Sequence, residues 1–247
     1  MLRFIMFLSW ILFSVIILTH NLIERWRHYF WFRKTPARPW NPFTTAVLEN
    51  DVAAVRTSLE NGLDPNARLP DTPEMDLTEG GRKEAPVELR VHAPTALMVA
   101  ASRGYTELTQ VLLDFGADVN LATGTRTALH YAADGGHRET VVLLLGRSGK
   151  ANIRGTHFES ALISAASGGQ ETVVALLLEH GADVNRKAGD GETPLMSAAD
   201  GNHPEVVRAL IAAGADIDAR DDEGRTALWW AKRPEARAVL QEAGAKK

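Results

Sequence analysis

Apolar positions along this chain follow two patterns. From Phe4 to Leu18 (FIMFLSWILFSVIIL) they run without a break, with no charge and only two serines. Eleven of these fifteen residues are Phe, Ile, Leu or Val. At about -0.3 to -0.6 kcal/mol each, they contribute about -3 to -7 kcal/mol toward insertion into a bilayer. Continuing through Thr19-His20-Asn21 to Leu22 and Ile23 gives twenty residues, close to the length a spanning helix needs. Beyond Asn41 the apolar residues come instead in short blocks divided by Gly, Asn and Asp. Val141-Val142-Leu143-Leu144-Leu145 and Val173-Val174-Ala175-Leu176-Leu177-Leu178 each predict the buried side of a helix.

The first pattern predicts a single uncleaved transmembrane anchor over residues 1–24. A cleaved signal peptide needs a small-x-small site, and the chain after the apolar run reads Ile17-Leu18-Thr19-His20-Asn21-Leu22-Ile23-Glu24. An in-plane anchor needs a polar face, which residues 4–18 lack. Trp26, Tyr29, Trp31 and Phe32, interleaved with Arg25, Arg27, Arg33 and Lys34, predict a basic, aromatic juxtamembrane linker over residues 25–40.

The second pattern is periodic. Thr95-Ala96-Leu97, Thr127-Ala128-Leu129, Ser160-Ala161-Leu162, Thr193-Pro194-Leu195 and Thr226-Ala227-Leu228 recur at spacings of 32, 33, 33 and 33. Twenty-one residues after four of these anchors stands a second motif. It reads Gly116-Ala117-Asp118-Val119-Asn120, Ser148-Gly149-Lys150-Ala151-Asn152, Gly181-Ala182-Asp183-Val184-Asn185 and Gly214-Ala215-Asp216-Ile217-Asp218. Gly62-Leu63-Asp64-Pro65-Asn66 has a degenerate anchor at Asn41-Pro42-Phe43, which makes six units in phase.

Thr, Ser and Pro at the anchors cap and preset a first helix. The alanine pairs Ala100-Ala101, Ala132-Ala133, Ala165-Ala166 and Ala198-Ala199 allow neighbouring helices to approach closely. Gly104, Gly136 and Gly169 suit a left-handed turn before a second helix, and Asn50 and Asn202 take that place elsewhere. No such unit buries its apolar face alone, so stability comes from stacking.

These residues resemble the ankyrin repeat, in which a Thr-Pro-Leu-His-x-Ala-Ala helix, a Gly-His turn, an apolar helix and a Gly-Ala-Asp-x-Asn finger alternate. The resemblance covers about residues 41–245. It implies an all-α solenoid of about six helix-turn-helix units with β-hairpin fingers, here preceded by the single transmembrane helix. The fourth anchor position is His only at His130; Met98, Ile163, Met196 and Trp229 replace it elsewhere. The family pattern has His130, His137 and His203 tying loop backbone together; His180, just before a finger glycine, is expected in solvent. The end units are atypical: Arg56, Thr57 and Ser58 make the first polar, and Arg233-Pro234-Glu235 forms a shortened turn in the last. Trp229-Trp230 reads as a seal over the core, or as an aromatic hot spot.

One interruption breaks the phase. Thr95 stands 29 positions after Asn66 where the other copies allow 7 or 8, which predicts an insert at about 67–93 within a repeat domain of 41–247. It carries Pro70, Pro73, Pro86 and Gly80-Gly81, while Val87-Glu88-Leu89-Arg90-Val91 alternates as a strand does. A hairpin over the concave face and a solvated loop both fit this composition.

Charge divides the chain at the same place. The net charge of -4 is a basic N-terminal segment, six Lys and Arg against Glu24 in residues 1–40, added to a repeat part at -9. The five basic residues after the apolar run place the repeats in the cytoplasm by the positive-inside rule. Such anchors also serve as export signals, so an extracytoplasmic side stays open. The acidic repeat part, with its scattered basic residues, speaks against nucleic acid. Zero cysteine removes disulfides, thiolate metal sites and cysteine nucleophiles.

Catalytic chemistry has no signature here. Gly146-Arg147-Ser148-Gly149-Lys150 lacks Walker spacing, and there is no Gly-x-Ser-x-Gly elbow. The eight histidines show no paired ligand spacing, and carboxylates such as Asp221-Asp222-Glu223 fall at finger tips expected to be exposed. No cofactor, metal, small-molecule substrate or enzyme activity is expected.

What the resemblance implies is protein binding through finger tips and the concave ends of the first helices. At the fingers the matching positions are Arg126, His157, Phe158, Glu159, Asp190, Glu192, Asp222, Glu223 and Arg225. At the first-helix ends they are Ser102, Arg103, Asp134 and Asp200. The acidic lean of the last fingers points to a partner with a basic patch. The expected protein is a membrane-tethered adaptor or scaffold. The alternative is an exported, anchored solenoid that inhibits or protects one dedicated enzyme.

Overall fold

Six pairs of short antiparallel helices account for the structure, a computed structural model that describes residues 41–69, 93–123, 126–147 and 160–245. The first helices are α1 (Pro42–Leu48), α3 (Ala96–Ser102), α5 (Ala128–Asp134), α7 (Ala161–Ser167), α9 (Pro194–Asp200) and α11 (Ala227–Trp230). Their second helices are α2 (Val52–Glu60), α4 (Thr106–Asp114), α6 (Arg138–Gly146), α8 (Glu171–Glu179), α10 (Pro204–Ala212) and α12 (Pro234–Glu242). The predicted anchor and linker, the interior of the insert (70–92) and the third finger (148–159) lie outside the described residues. Among the described residues no helix is long and apolar enough to cross a membrane.

Local chemistry starts the first helices. Hydroxyls of Thr95, Ser160 and Thr193 accept from Met98 N, Ile163 N and Met196 N at 3.4, 3.3 and 3.3 Å. At Thr127 the arrangement is reciprocal. Its N–H donates to His130 Nδ1 at 3.2 Å, and its hydroxyl lies 2.9 Å from the same nitrogen. His130 is fully buried.

The anticipated left-handed turns are present, with φ of 72° and 69° at Gly136 and Gly169 and 59° at Asn202. These glycines serve a second purpose. A Cβ on Gly136 would lie 2.2 Å from Gln170 Oε1, and one on Gly169 2.4 Å from His203 Nδ1. Each turn is the floor on which the following unit sets a side chain. That side chain then donates across the unit boundary. His137 Nε2 reaches Ser102 O at 2.9 Å, Gln170 Nε2 reaches Asp134 O at 3.0 Å, and His203 Nε2 reaches Ser167 O at 2.9 Å.

The finger motifs tie units together on the other side. Asn66 Oδ1 accepts from Asp118 N, and Asn185 Oδ1 from Asp216 N, both at 2.8 Å. Between these two rows of bonds runs one continuous core. Ala100, Ala101, Ala132, Ala133, Ala165, Ala166, Ala198 and Ala199 are fully buried, and Leu97, Leu129, Leu162, Leu195 and Leu228 pack beside them. The second helices add Leu112, Leu144, Leu177, Leu210 and Leu240. Each buried leucine contributes about 1.5–3 kcal/mol. In α6 the apolar run is not buried throughout, because Val142 faces outward.

The insert leaves and re-enters through a closed stem. Leu69 N donates to Pro94 O at 2.8 Å, Arg68 and Thr95 form an antiparallel bridge, and Leu69 is buried. Arg68 also donates to Ala93 O and to Thr123 Oγ1, both at 2.9 Å. The finger base therefore survives the insertion, which is why the repeat phase resumes at Thr95. The second finger closes as a hairpin of β1 (Ala122–Thr123) and β2 (Arg126–Thr127).

Two glycine substitutions separate these roles. Gly169→Ala is expected to cost about 1–2 kcal/mol for the left-handed backbone alone, and more for the clash with His203. Gly146→Ala, at an exposed helical position with open space around it, is expected to gain about 0.5–1 kcal/mol. Urea unfolding of both variants measures the difference.

Candidate functional site

The first-helix ends carry acids where helix electrostatics oppose them. Asp134 and Asp200 are the last residues of α5 and α9, beside the partial negative charge of the helix C-terminus. Each is met by a cation from elsewhere. Arg126 Nη2 lies 3.1 Å from Asp134 Oδ2, and Lys232 Nζ lies 3.8 Å from Asp200 Oδ1. The Arg126 guanidinium also lies over the Tyr131 ring, 4.7 Å from its centroid, and so adds a cation–π contact to the ion pair. Ser102 uses its hydroxyl inside α3, donating to Val99 O at 2.9 Å, and Arg103 caps that helix.

The last two fingers form a connected ledge. Asp222 N donates to Asp190 O at 3.0 Å, and a Cβ on Gly191 would lie 2.7 Å from Asp222 N. Asp190 Oδ1 accepts from Glu192 N at 3.2 Å, while Glu192 Oε1 accepts from the Ser197 hydroxyl at 2.6 Å. Asp190 and Asp222 themselves point to solvent.

Asp221 departs from the sequence expectation of an exposed tip: its side chain is 1 % exposed. Its Oδ1 accepts from Arg225 N at 2.8 Å and Glu223 N at 3.1 Å. Its Oδ2 accepts from Arg225 Nε at 2.6 Å and Trp230 Nε1 at 3.0 Å. Burial alone raises such a carboxyl, but these bonds from Arg225 and Trp230 outweigh it and hold Asp221 below the usual carboxylate range. The bond to Asp221 raises Arg225 in turn.

The guanidinium of Arg225 also bonds Glu223 and lies over Trp230 and Trp229 at 4.4 and 4.8 Å. The two indoles meet edge to face at 5.3 Å. Trp229 does not seal the core as one sequence reading had it, being 52 % exposed. Trp230, half-buried, is anchored by Asp221.

Of the sequence-derived positions, Asp190, Glu192, Asp200, Asp222, Glu223 and Arg225 cluster on the last two units. Ser102, Arg103, Arg126 and Asp134 lie on the second and third units. His157, Phe158 and Glu159 are outside the described residues. Sequence reasoning passed over Lys232, placed Asp221 among exposed tip carboxylates, and read Trp230 only together with Trp229. The signal for Lys232 was present, since it stands where Ala101, Ala133, Ala166 and Ala199 stand in earlier units. Among the described residues, no three His, Asp or Glu converge so as to hold a metal ion.

The family model for ankyrin repeats matches this chain in three overlapping copies, over residues 43–157, 97–188 and 162–247. Segments of larger proteins are also similar. One is ankyrin repeat and KH domain-containing protein mask of Drosophila melanogaster, 49 % identical over 71 residues, covering 28 % of this chain and 2 % of that protein. Human ankyrin repeat domain-containing protein 17 is 49 % identical over 63 residues, covering 24 % of this chain and 2 % of that protein. A putative ankyrin repeat protein of Rickettsia bellii is 32 % identical over 107 residues, covering 40 % of this chain and 44 % of that protein. The matched segments thus span less than half of each of these relatives.

The depressed carboxyl of Asp221 carries a pH signature. Its stabilisation is complete above the unfolded carboxyl value of about 3.9 and is lost as pH falls through the lower folded value. Asp221→Asn is expected to cost about 1–3 kcal/mol by removing the charge that Arg225 and Trp230 address. The loss should appear as reduced amide protection over residues 226–242, and acidification should then have little further effect there. Hydrogen exchange of both proteins between pH 2.5 and 6 tests this.

Proposed function

The chain belongs to the ankyrin-repeat family, and we propose on that footing that it is a membrane-tethered adaptor or scaffold. An ankyrin array is a protein-interaction module, and its extended stacked surface suits that use. In this reading the finger tips and first-helix ends hold a partner protein, while the apolar run at residues 4–23 fixes the array to a bilayer. The observation that carries the reading is the placement of Asp134 and Asp200 at helix C-termini. Acids there work against their own helices, and a scaffold selected for stability alone favours Lys or Arg at those positions.

Rigidity supports the same reading. Asp190 and Asp222 are held by backbone bonds between fingers, so presenting them to a partner requires little further ordering. Tethering confines the array to the membrane plane, which raises its effective concentration toward partners there and lets modest affinities suffice. The basic linker after the apolar run supports a cytoplasmic array.

The triple variant Asp190→Lys, Asp222→Lys, Glu223→Lys is expected to keep its thermal transition and to lose at least about ten-fold in partner recovery, since charged interface residues govern specificity. Crosslinking in cells followed by affinity capture measures this, and unchanged recovery removes these finger tips from the binding surface. Removing residues 1–24 is expected to move the protein from the membrane to the soluble fraction. Cleavage of the repeats by protease added to intact cells or spheroplasts overturns the cytoplasmic placement.

A further inference from the structure

The last unit differs from the others at two positions whose register makes the difference informative. Trp229 occupies the fourth anchor position, where Met98, His130, Ile163 and Met196 are all at most 4 % exposed; Trp229 is 52 % exposed. Lys232 occupies the seventh, where Ala101, Ala133, Ala166 and Ala199 are completely buried. In the last unit the first helix ends at Trp230, so Lys232 lies beyond it, exposed and outside any helix. The face therefore displays a large aromatic beside an exposed cation.

The chemistry this face accepts is already on view. The Lys232 ammonium sits 3.8 Å from Asp200 Oδ1 and 5.7 and 5.8 Å from the rings of Trp229 and Trp230. One carboxylate and two indoles thus converge on a primary ammonium, held loosely on a side chain that is 68 % exposed. Asp190 and Asp222 add exposed negative charge from the neighbouring ledge. The Arg225 charge is met by Asp221 and Glu223. Lys187 and Arg220 donate to the backbone at Arg220 O and Gly224 O.

We propose that this end of the array, with Trp229 as anchor and Asp200, Asp190 and Asp222 as rim, docks a lysine-bearing basic segment of a partner protein. Lys232 is the placeholder that such a lysine displaces. The inference rests on the interaction-module reading and names the partner chemistry at one part of the surface. Because Lys232 and Arg233 are themselves basic, an acidic segment is the competing occupant, and the two predict opposite effects of removing Lys232.

The test uses the full chain in a non-ionic detergent with fluorescein-labelled acetyl-Gly-Lys-Ala-Lys-Ala-Lys-Gly amide and its Glu counterpart, read by fluorescence anisotropy. The Lys peptide is expected to bind, and to weaken as salt rises. Trp229→Ala and Asp200→Asn are each expected to weaken it about ten-fold, Trp229→Phe much less, and Lys232→Ala to strengthen it several-fold. Circular dichroism melting checks that each variant is folded. Preference for the Glu peptide, weaker binding in Lys232→Ala, insensitivity to Trp229→Ala, or no binding of the Lys peptide overturns the proposal. A cellular partner lost from the triple finger variant but retained by Trp229→Ala overturns this docking site alone and leaves the interaction-module reading standing.

Discussion

Three interior first helices, α3, α5 and α7, end on a carbonyl that their own unit leaves for a neighbour. Ser102 O, Asp134 O and Ser167 O are such terminal acceptors, and the following unit supplies the donor, from His137, Gln170 and His203. The bond forms only if the donor ring or amide lies close over the turn, and that requires the turn residue to lack a Cβ. Glycine at 104, 136 and 169 is therefore fixed by the next unit's side chain as well as by its own left-handed backbone. The alanine pairs then set how near the helices stand. Turn, helix end and core are one constraint seen from three sides.

That constraint explains what was legible in the sequence. Caps, alanine pairs and left-handed turns repeat with the units, and a repeated residue type reports a repeated local geometry. Even substitutions within the pattern are interpretable: Asn202 adopts the same left-handed turn as the glycines, and Gln170 donates as the histidines do. Asp221, by contrast, reads as one of three adjacent tip carboxylates. Nothing in the spacing distinguishes it from Asp222, and its burial depends on Arg225 folding back and on Trp230 turning its indole N–H toward it. The exposure of Trp229 was equally hidden, because the same anchor position is buried at Met98, His130, Ile163 and Met196.

The outer faces of the first and last units differ in chemistry. In α2, Thr57 and Ser58 return their hydroxyls to Ala53 O and Ala54 O at 2.9 Å each, and Arg56 faces solvent, so the outer surface is polar. The last unit uses aromatic rings covered by cations, Arg225 at 4.4 and 4.8 Å and Lys232 more distantly at 5.7 and 5.8 Å. The first face carries hydroxyls already bonded within their own helix. The second leaves the Trp229 ring, a large apolar surface, half in water.

Inside the array, acids at first-helix ends oppose their own helices. The helix dipole disfavours Asp134 and Asp200 by about 0.3–1 kcal/mol each, and their cation partners recover part of that. Arg126 approaches Asp134 to 3.1 Å and is braced by Tyr131, whereas Lys232 stays 3.8 Å from Asp200 on an exposed side chain. The two carboxylates are consequently unequal. Asp134 is held in a local network that a partner has to dismantle, and Asp200 is met by a single exposed ammonium that a partner lysine replaces with little loss. Exchange of one ammonium for another preserves the charge balance and the stacking on both indoles, so the energy of binding is left to the contacts that surround it. This places the adaptable part of the surface at the C-terminal end, while the interior units hold the frame.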